Sequence, residues 1–147
     1  MYRGDSASWM LMPLLIRRVL KFMAAYNSNS DGPLPNIIHT AFGSGDPRAF
    51  ICVILDKEET AIAGHMVATV ETYLGEATGF IHQWEIDKGL QDEDLTAIRA
   101  TIDAMMVTWC NGLGLKSMTA MALDEPRARV FKRHGFEKFA VLVKRGM

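Results

Sequence analysis

The stretch Arg129-Val130-Phe131-Lys132-Arg133-His134-Gly135-Phe136 decides the fold. It reads as a short basic helix, a glycine stop and the aromatic start of a strand. Upstream, Pro126 stands near the first turn of that helix, where its missing N–H leaves nothing unpaired. Residues 117–123 ahead of it have the character of a strand. The unit is therefore strand (117–123), helix (125–134) and strand (136–144), with a Gly-Phe pair at the second joint.

Moving toward the N-terminus, a long helix precedes this unit. Leu95, Ile98, Ile102, Met105, Trp109 and Leu113 mark one face, Arg99 and Asp103 lie off it, and Asn111, Gly112 and Gly114 end it. Met105, Met106 and Trp109 are read as core. Further back come three strand-length runs at 49–55, 61–74 and 78–86. A polar turn at 56–60 and Gly75-Glu76 separate them, so they predict an antiparallel meander. At the front, Met12, Leu15, Ile16, Val19, Phe22 and Tyr26 recur at three- and four-residue spacing, with Arg17, Arg18 and Lys21 between them. That pattern predicts an amphipathic helix over 6–26. Residues 27–35 read as a loop, 36–42 as a short helical turn, and 43–47 as a breaker. The order is helix, three strands, helix, strand, helix, strand, which is an α/β domain with a mixed sheet.

Composition bounds the function. The chain's 147 residues fit a single domain, 1–147, with a real core. With 49% apolar and 22% charged residues it has ordinary globular balance, and its net charge of −1 favours neither nucleic acid nor an acidic membrane. Cys52 and Cys110 sit in apolar runs without paired spacing, so a reducing compartment is expected. The apolar run at 9–16 contains Pro13 and is too short to span a bilayer, and its basic residues follow it, unlike a secretory signal. If exposed, Trp9, Met10 and Met12 would form an apolar docking patch. His39, His65, His82 and His134 have no metal-ligand spacing.

The order of elements, and above all the unit from Ser117 to Lys144, resembles the GNAT (N-acetyltransferase) superfamily over residues 49–145, in particular small phage-encoded acetyltransferase-like proteins. The resemblance implies a mixed, mostly antiparallel sheet flanked by helices, with the first strand reduced to 1–4. It implies a cleft where the strand at 78–86 splays from the strand at 117–123. Acyl-CoA enters that cleft, and backbone N–H groups at the start of the next helix hold its pyrophosphate. The matching loop here is Ile86-Asp87-Lys88-Gly89-Leu90-Gln91, followed by Asp92, Glu93 and Asp94. A helix N-terminus favours anions. Here one lysine and one glycine stand among four carboxylates. Carboxylates in a first turn stabilise their own helix by roughly 0.3–1 kcal/mol each. Each one near a phosphate also costs its binding roughly 1–3 kcal/mol.

The position where many members carry a proton-donating tyrosine is Phe131, and an asparagine position is Asp124. Glu85, His82 and Glu71 are the candidate bases, Glu85 foremost, acting on an amine through water. Strand alternation puts Glu85 and Gln83 on one face and His82, Trp84 and Ile86 on the other. Arg129 and Lys132 are candidate contacts to CoA phosphates within the basic cluster Arg127, Arg129, Lys132, Arg133 and Lys138, which otherwise reads as a solvated face. The favoured expectation is a degenerate acyl-CoA site that needs no cofactor. The chain would then be a structural or interaction component among other protein subunits, such as a phage virion, or sit in the cytoplasm. The alternative is an active acetyl-CoA-dependent N-acetyltransferase on a small amine or a protein amine. A nucleic-acid-binding accessory using the basic helix is the third reading.

Overall fold

The computed structural model describes residues 11–26, 34–56, 58, 61–73, 75–89, 92–122, 124–137 and 145–146. Helices α1 (Met12–Tyr26) and α2 (Leu34–Ser44) come first. Strands β1 (Ala49–Leu55), β2 (Ile62–Tyr73) and β3 (Glu76–Ile86) follow, then α3 (Asp92–Gly112), β4 (Met118–Ala120) and α4 (Glu125–Arg133). The sheet order is β1-β2-β3-β4. The first three strands are antiparallel neighbours, and β4 runs parallel to β3. The expected mixed α/β architecture is what the chain adopts.

The sheet carries a core on each face. Under α1 and α2, Leu15, Val19, Leu34, Ile38 and Ala41 close on Ala49, Ile51, Val53 and Val67. Under α3, Ile102, Met106, Trp109 and Cys110 close on Phe50, Cys52, Met66, Ala68, Ile81 and Trp84, with Phe131 of α4 packed at the margin. Successive residues of β1 thus serve opposite cores, which explains why its sequence is apolar throughout. The indole of Trp109 donates to the Pro47 carbonyl at 2.7 Å. Gly79 lies beneath that ring, where a Cβ would come within 2.8 Å of it.

The sequence underestimates α2. Its breakers, Pro35 and Gly43, lie inside an 11-residue helix. Pro35 falls in the first turn, where proline is tolerated. Burial of Leu34, Ile38 and Ala41 on one face outweighs the propensity cost of Gly43. Strand β4 is shorter than the expected 117–123, because the chain turns away after Ala120 toward Asp124, which caps α4 by accepting from the Arg127 N–H at 2.9 Å. The expected strand at 136–144 is not strand at Phe136 and Glu137, and its remainder lies outside the described residues. So do the strand expected at 1–4, the start of the helix expected from residue 6, and Trp9 and Met10.

Candidate active site at the parting of β3 and β4

Strands β3 and β4 pair only over Gly79–Ile81 and Met118–Ala120. Beyond Ile81 their pairing stops, and β3 changes its own register at the same place. Val67 faces Gln83 and Ala68 faces Ile81, which leaves His82 as the extra residue of a β-bulge. Alternation therefore breaks at His82, and the face assigned to it from sequence is corrected. Trp84 and Ile86 do pack toward α3. His82 instead turns to the α1-facing side, where its Nε2 lies 2.7 Å from the Thr69 hydroxyl. Thr69 and Glu71 share the face of Val67, which lines the core under α1 and α2. The Thr69 hydroxyl donates to Glu71 Oε1 at 2.9 Å. With its own hydrogen committed to Glu71, the Thr69 hydroxyl accepts from His82 Nε2.

Toward the end of β3, Arg18 of α1 collects several partners. Its guanidinium reaches Asp87 at 2.9 Å, Glu85 at 3.3 Å and the Ile62 carbonyl at 3.0 Å. Its Nε donates to His65 Nδ1 at 3.3 Å, and the opposite ring nitrogen of His65 meets Gln83 Oε1 at 2.9 Å. His65 is fully buried. Burial, with a lesser push from Arg18, lowers its pKa from 6.5 to about 4, so the ring is neutral at pH 7. Glu85, the foremost candidate base, is thus placed against a guanidinium.

The expected phosphate loop leads from Asp87 through Lys88 and Gly89 into α3, with Gly89 at φ 102°. Asp87, Lys88 and Gly89 are exposed, and Ile86 is half-buried against the α3-side core. Leu90 and Gln91 lie outside the described residues. Asp87 turns its charge to Arg18. On α4, Arg129 and Lys132 are exposed, as a phosphate contact requires. Phe131 packs edge-on to Phe136 and against Trp84, ring centroids 5.2 and 6.0 Å apart, as part of the core.

Arg127 is the residue the sequence reading missed. Its sequence neighbours group it with a solvated basic face. In the structure its Nη1 donates to the Trp84 carbonyl at 3.3 Å, and its guanidinium lies over the Phe22 ring of α1, 4.8 Å from the centroid. It therefore reaches β3 just beyond the point where pairing with β4 ends. No local signal marked it, since Phe22 and Trp84 are distant in sequence.

Other chemistry finds little support. The thiols of Cys52 and Cys110 are buried, which pushes both upward, Cys52 to about 12, far from a reactive thiolate. Among the described residues there is no cluster of metal ligands and no helix long and apolar enough to cross a membrane.

No family model and no curated protein matches the sequence. Solved structures do match in three dimensions. AAC(6')-Iy, in complex with the bisubstrate analogue CoA-S-monomethyl-acetylneamine, superposes with a TM-score of 0.67 at 12% identity, covering 99% of this chain and 96% of its own. The aminoglycoside 6'-N-acetyltransferase AAC(6')-IG from Acinetobacter haemolyticus gives 0.66 at 13% identity over 99% and 96%. Glucosamine-6-phosphate N-acetyltransferase from Arabidopsis thaliana gives 0.57 at 14% identity over 76% and 78%. At such identities the likeness speaks for architecture, and the architecture is that of the GNAT acetyltransferases.

Proposed function

We propose that this chain is an acyl-CoA-dependent N-acyltransferase acting on a small amine. The observation that carries the reading is the coincidence of three features at one place. Parallel pairing of β3 with β4 stops after three residues, β3 bulges at the next one, and the bulge turns His82 toward Thr69 and Glu71. Bulges re-aim side chains and recur beside active sites. The matched AAC(6')-Iy structure holds a CoA bisubstrate analogue on this same fold. Its likeness spans nearly the whole chain, which favours the reading without assigning it.

In this reading the backbone N–H groups at Gly89 and the start of α3, with Lys88, receive the diphosphate of acetyl-CoA. Arg129 and Lys132 stand by for its remaining phosphate. Arg18 lessens the acidity of the loop by holding Asp87. Acetyl-CoA supplies an activated acyl carbon. The amine nitrogen bonds to that carbon as the carbon–sulfur bond breaks. Of the two protons an ammonium loses, one goes to water and the other reaches the departing thiolate through solvent, because Phe131 has none to give. Glu85 holds Arg18 instead of taking a proton. Alignment of amine and thioester supplies the main rate gain.

A second reading keeps the fold and discards the chemistry: a degenerate acyl-CoA site in a protein that serves as a subunit of a larger assembly, such as a virion. Arg127 at the parting of the strands, Phe131 and the acidic residues in the first turn of α3 favour it. Calorimetry with acetyl-CoA separates the two. Micromolar binding is expected. Binding weaker than about 1 mM, together with stable incorporation into a larger particle, overturns the enzyme.

A further inference from the structure

Glu71, Thr69 and His82 form a polar cluster that the acyl-CoA side of the site does not use. Its three members differ in exposure, and the difference decides what the cluster can do. The side chain of Glu71 is 49% exposed and that of His82 is 14% exposed, while Thr69 as a residue is 7% exposed. Thr69 holds one carboxylate oxygen, with His82 behind it. Thr69 donates to Oε1 at 2.9 Å, and His82 Nε2 stands 3.9 Å from the same oxygen. The hydrogen-bond chain runs one way, from imidazole to hydroxyl to carboxylate, so Glu71 ends it as an acceptor. The His82 ring is fixed in turn by Phe80, edge to face at 5.0 Å between centroids. Directly across the strand pair from Glu71 stands Thr78, whose hydroxyl is committed to Ser117 and Thr119.

A half-exposed carboxylate whose inner oxygen accepts from the buried Thr69 hydroxyl has restricted rotamers and presents its outer edge to solvent. It can therefore bind a cation with less ordering cost than a free surface glutamate. We infer that Glu71, positioned by Thr69 and His82, is the subsite that receives the primary ammonium group of a small acyl acceptor. The ligand class rests on the acyltransferase reading, since the cluster begins at the bulge where that reaction would take place. A merely structural role, a cross-strand clasp between β2 and β3, would affect melting and leave substrate affinity alone.

The test uses the whole chain and two readouts. In steady-state acylation, E71Q raises KM for the amine by about tenfold to a hundredfold while the dissociation constant of acetyl-CoA stays unchanged. T69V raises KM in the same direction, and T69S, which restores the hydroxyl, returns it. In NMR titrations without acetyl-CoA, glucosamine shifts the amide signals of Thr69, Glu71 and His82 in the unaltered protein and fails to do so in E71Q. Glucose, its neutral counterpart, shifts none of them. Equal glucosamine titrations in E71Q and the unaltered chain, or shifts confined to other residues, overturn the inference. Glucosamine binding at Glu71 in a protein that does not bind acetyl-CoA keeps the subsite and removes the acyltransferase reading.

Discussion

Arg18 is the residue on which one end of the sheet converges, and His65 is the residue that end must keep neutral. The imidazole is fully buried, accepts from Arg18 on Nδ1 and donates to Gln83 from Nε2. Its folded pKa of about 4 lies below the ordinary 6.5. The unfolded chain therefore binds a proton first as pH falls, and stability rises with pH wherever it does so. The window is about pH 4 to 6.5. Above it the ring is neutral in both states and contributes no slope. Across it the loss approaches roughly 3 kcal/mol at about 1.4 kcal/mol per unit. Urea denaturation at a series of pH values should show the midpoint falling through this window in the unaltered chain. In H65Q, whose amide stays neutral, that part of the slope should disappear; an unchanged slope would show that other groups carry it. The sequence shows His65 as one of four histidines without metal spacing and says nothing of its burial. Its partners lie on α1 and β3, and contacts that distant leave no periodic mark.

At the scale of elements, the meander, α3 and α4 are legible because their signals are local. Short turns separate β1 from β2 and β2 from β3, and Asp124 and Pro126 set the start of α4. The bulge at His82 is not legible, since alternation is a rule about regular strands and a bulge is its exception. There His82 takes the opposite face from the one alternation gives it. The start of α3 is partly legible: its acidic residues are plain, while the diversion of Asp87 to Arg18 is not. Glu93 and Asp94 pull in two directions. Near the helix N-terminus each stabilises α3 by roughly 0.3–1 kcal/mol, and each opposes a phosphate brought to the same amides. The double variant E93Q/D94N should therefore lower the melting temperature slightly and tighten acetyl-CoA binding about tenfold or more. Calorimetry and a thermal scan on one sample read both signs. Weaker melting with unchanged affinity would mean that the diphosphate binds elsewhere.

At the scale of the molecule, the two cores lie on opposite faces of the sheet. Both cores were foreseeable from β1, whose seven residues are apolar on each side. The link between them was not. Arg127 starts on α4, donates to the backbone of β3 and covers Phe22 of α1, so one side chain ties the α4 side to the α1 side where β3 has left β4. A hydrogen bond from a charged donor contributes roughly 1.5–3 kcal/mol and a cation–π contact about 0.5–1 kcal/mol, less the entropy of holding a long side chain. R127A should thus cost about 1–3 kcal/mol and lower the melting temperature by roughly 3–10 °C for a chain of this size. The same guanidinium occupies a carbonyl on the open edge of β3, which a ligand amide entering there would need. Removing it should accelerate acetyl-CoA association even as the fold weakens. R127K keeps a charge but loses the planar fork and should fall between. Stopped-flow association of acetyl-CoA checks this: slower or abolished binding in R127A would make Arg127 a phosphate ligand, and the tie across the open edge would then be a by-product of its reach.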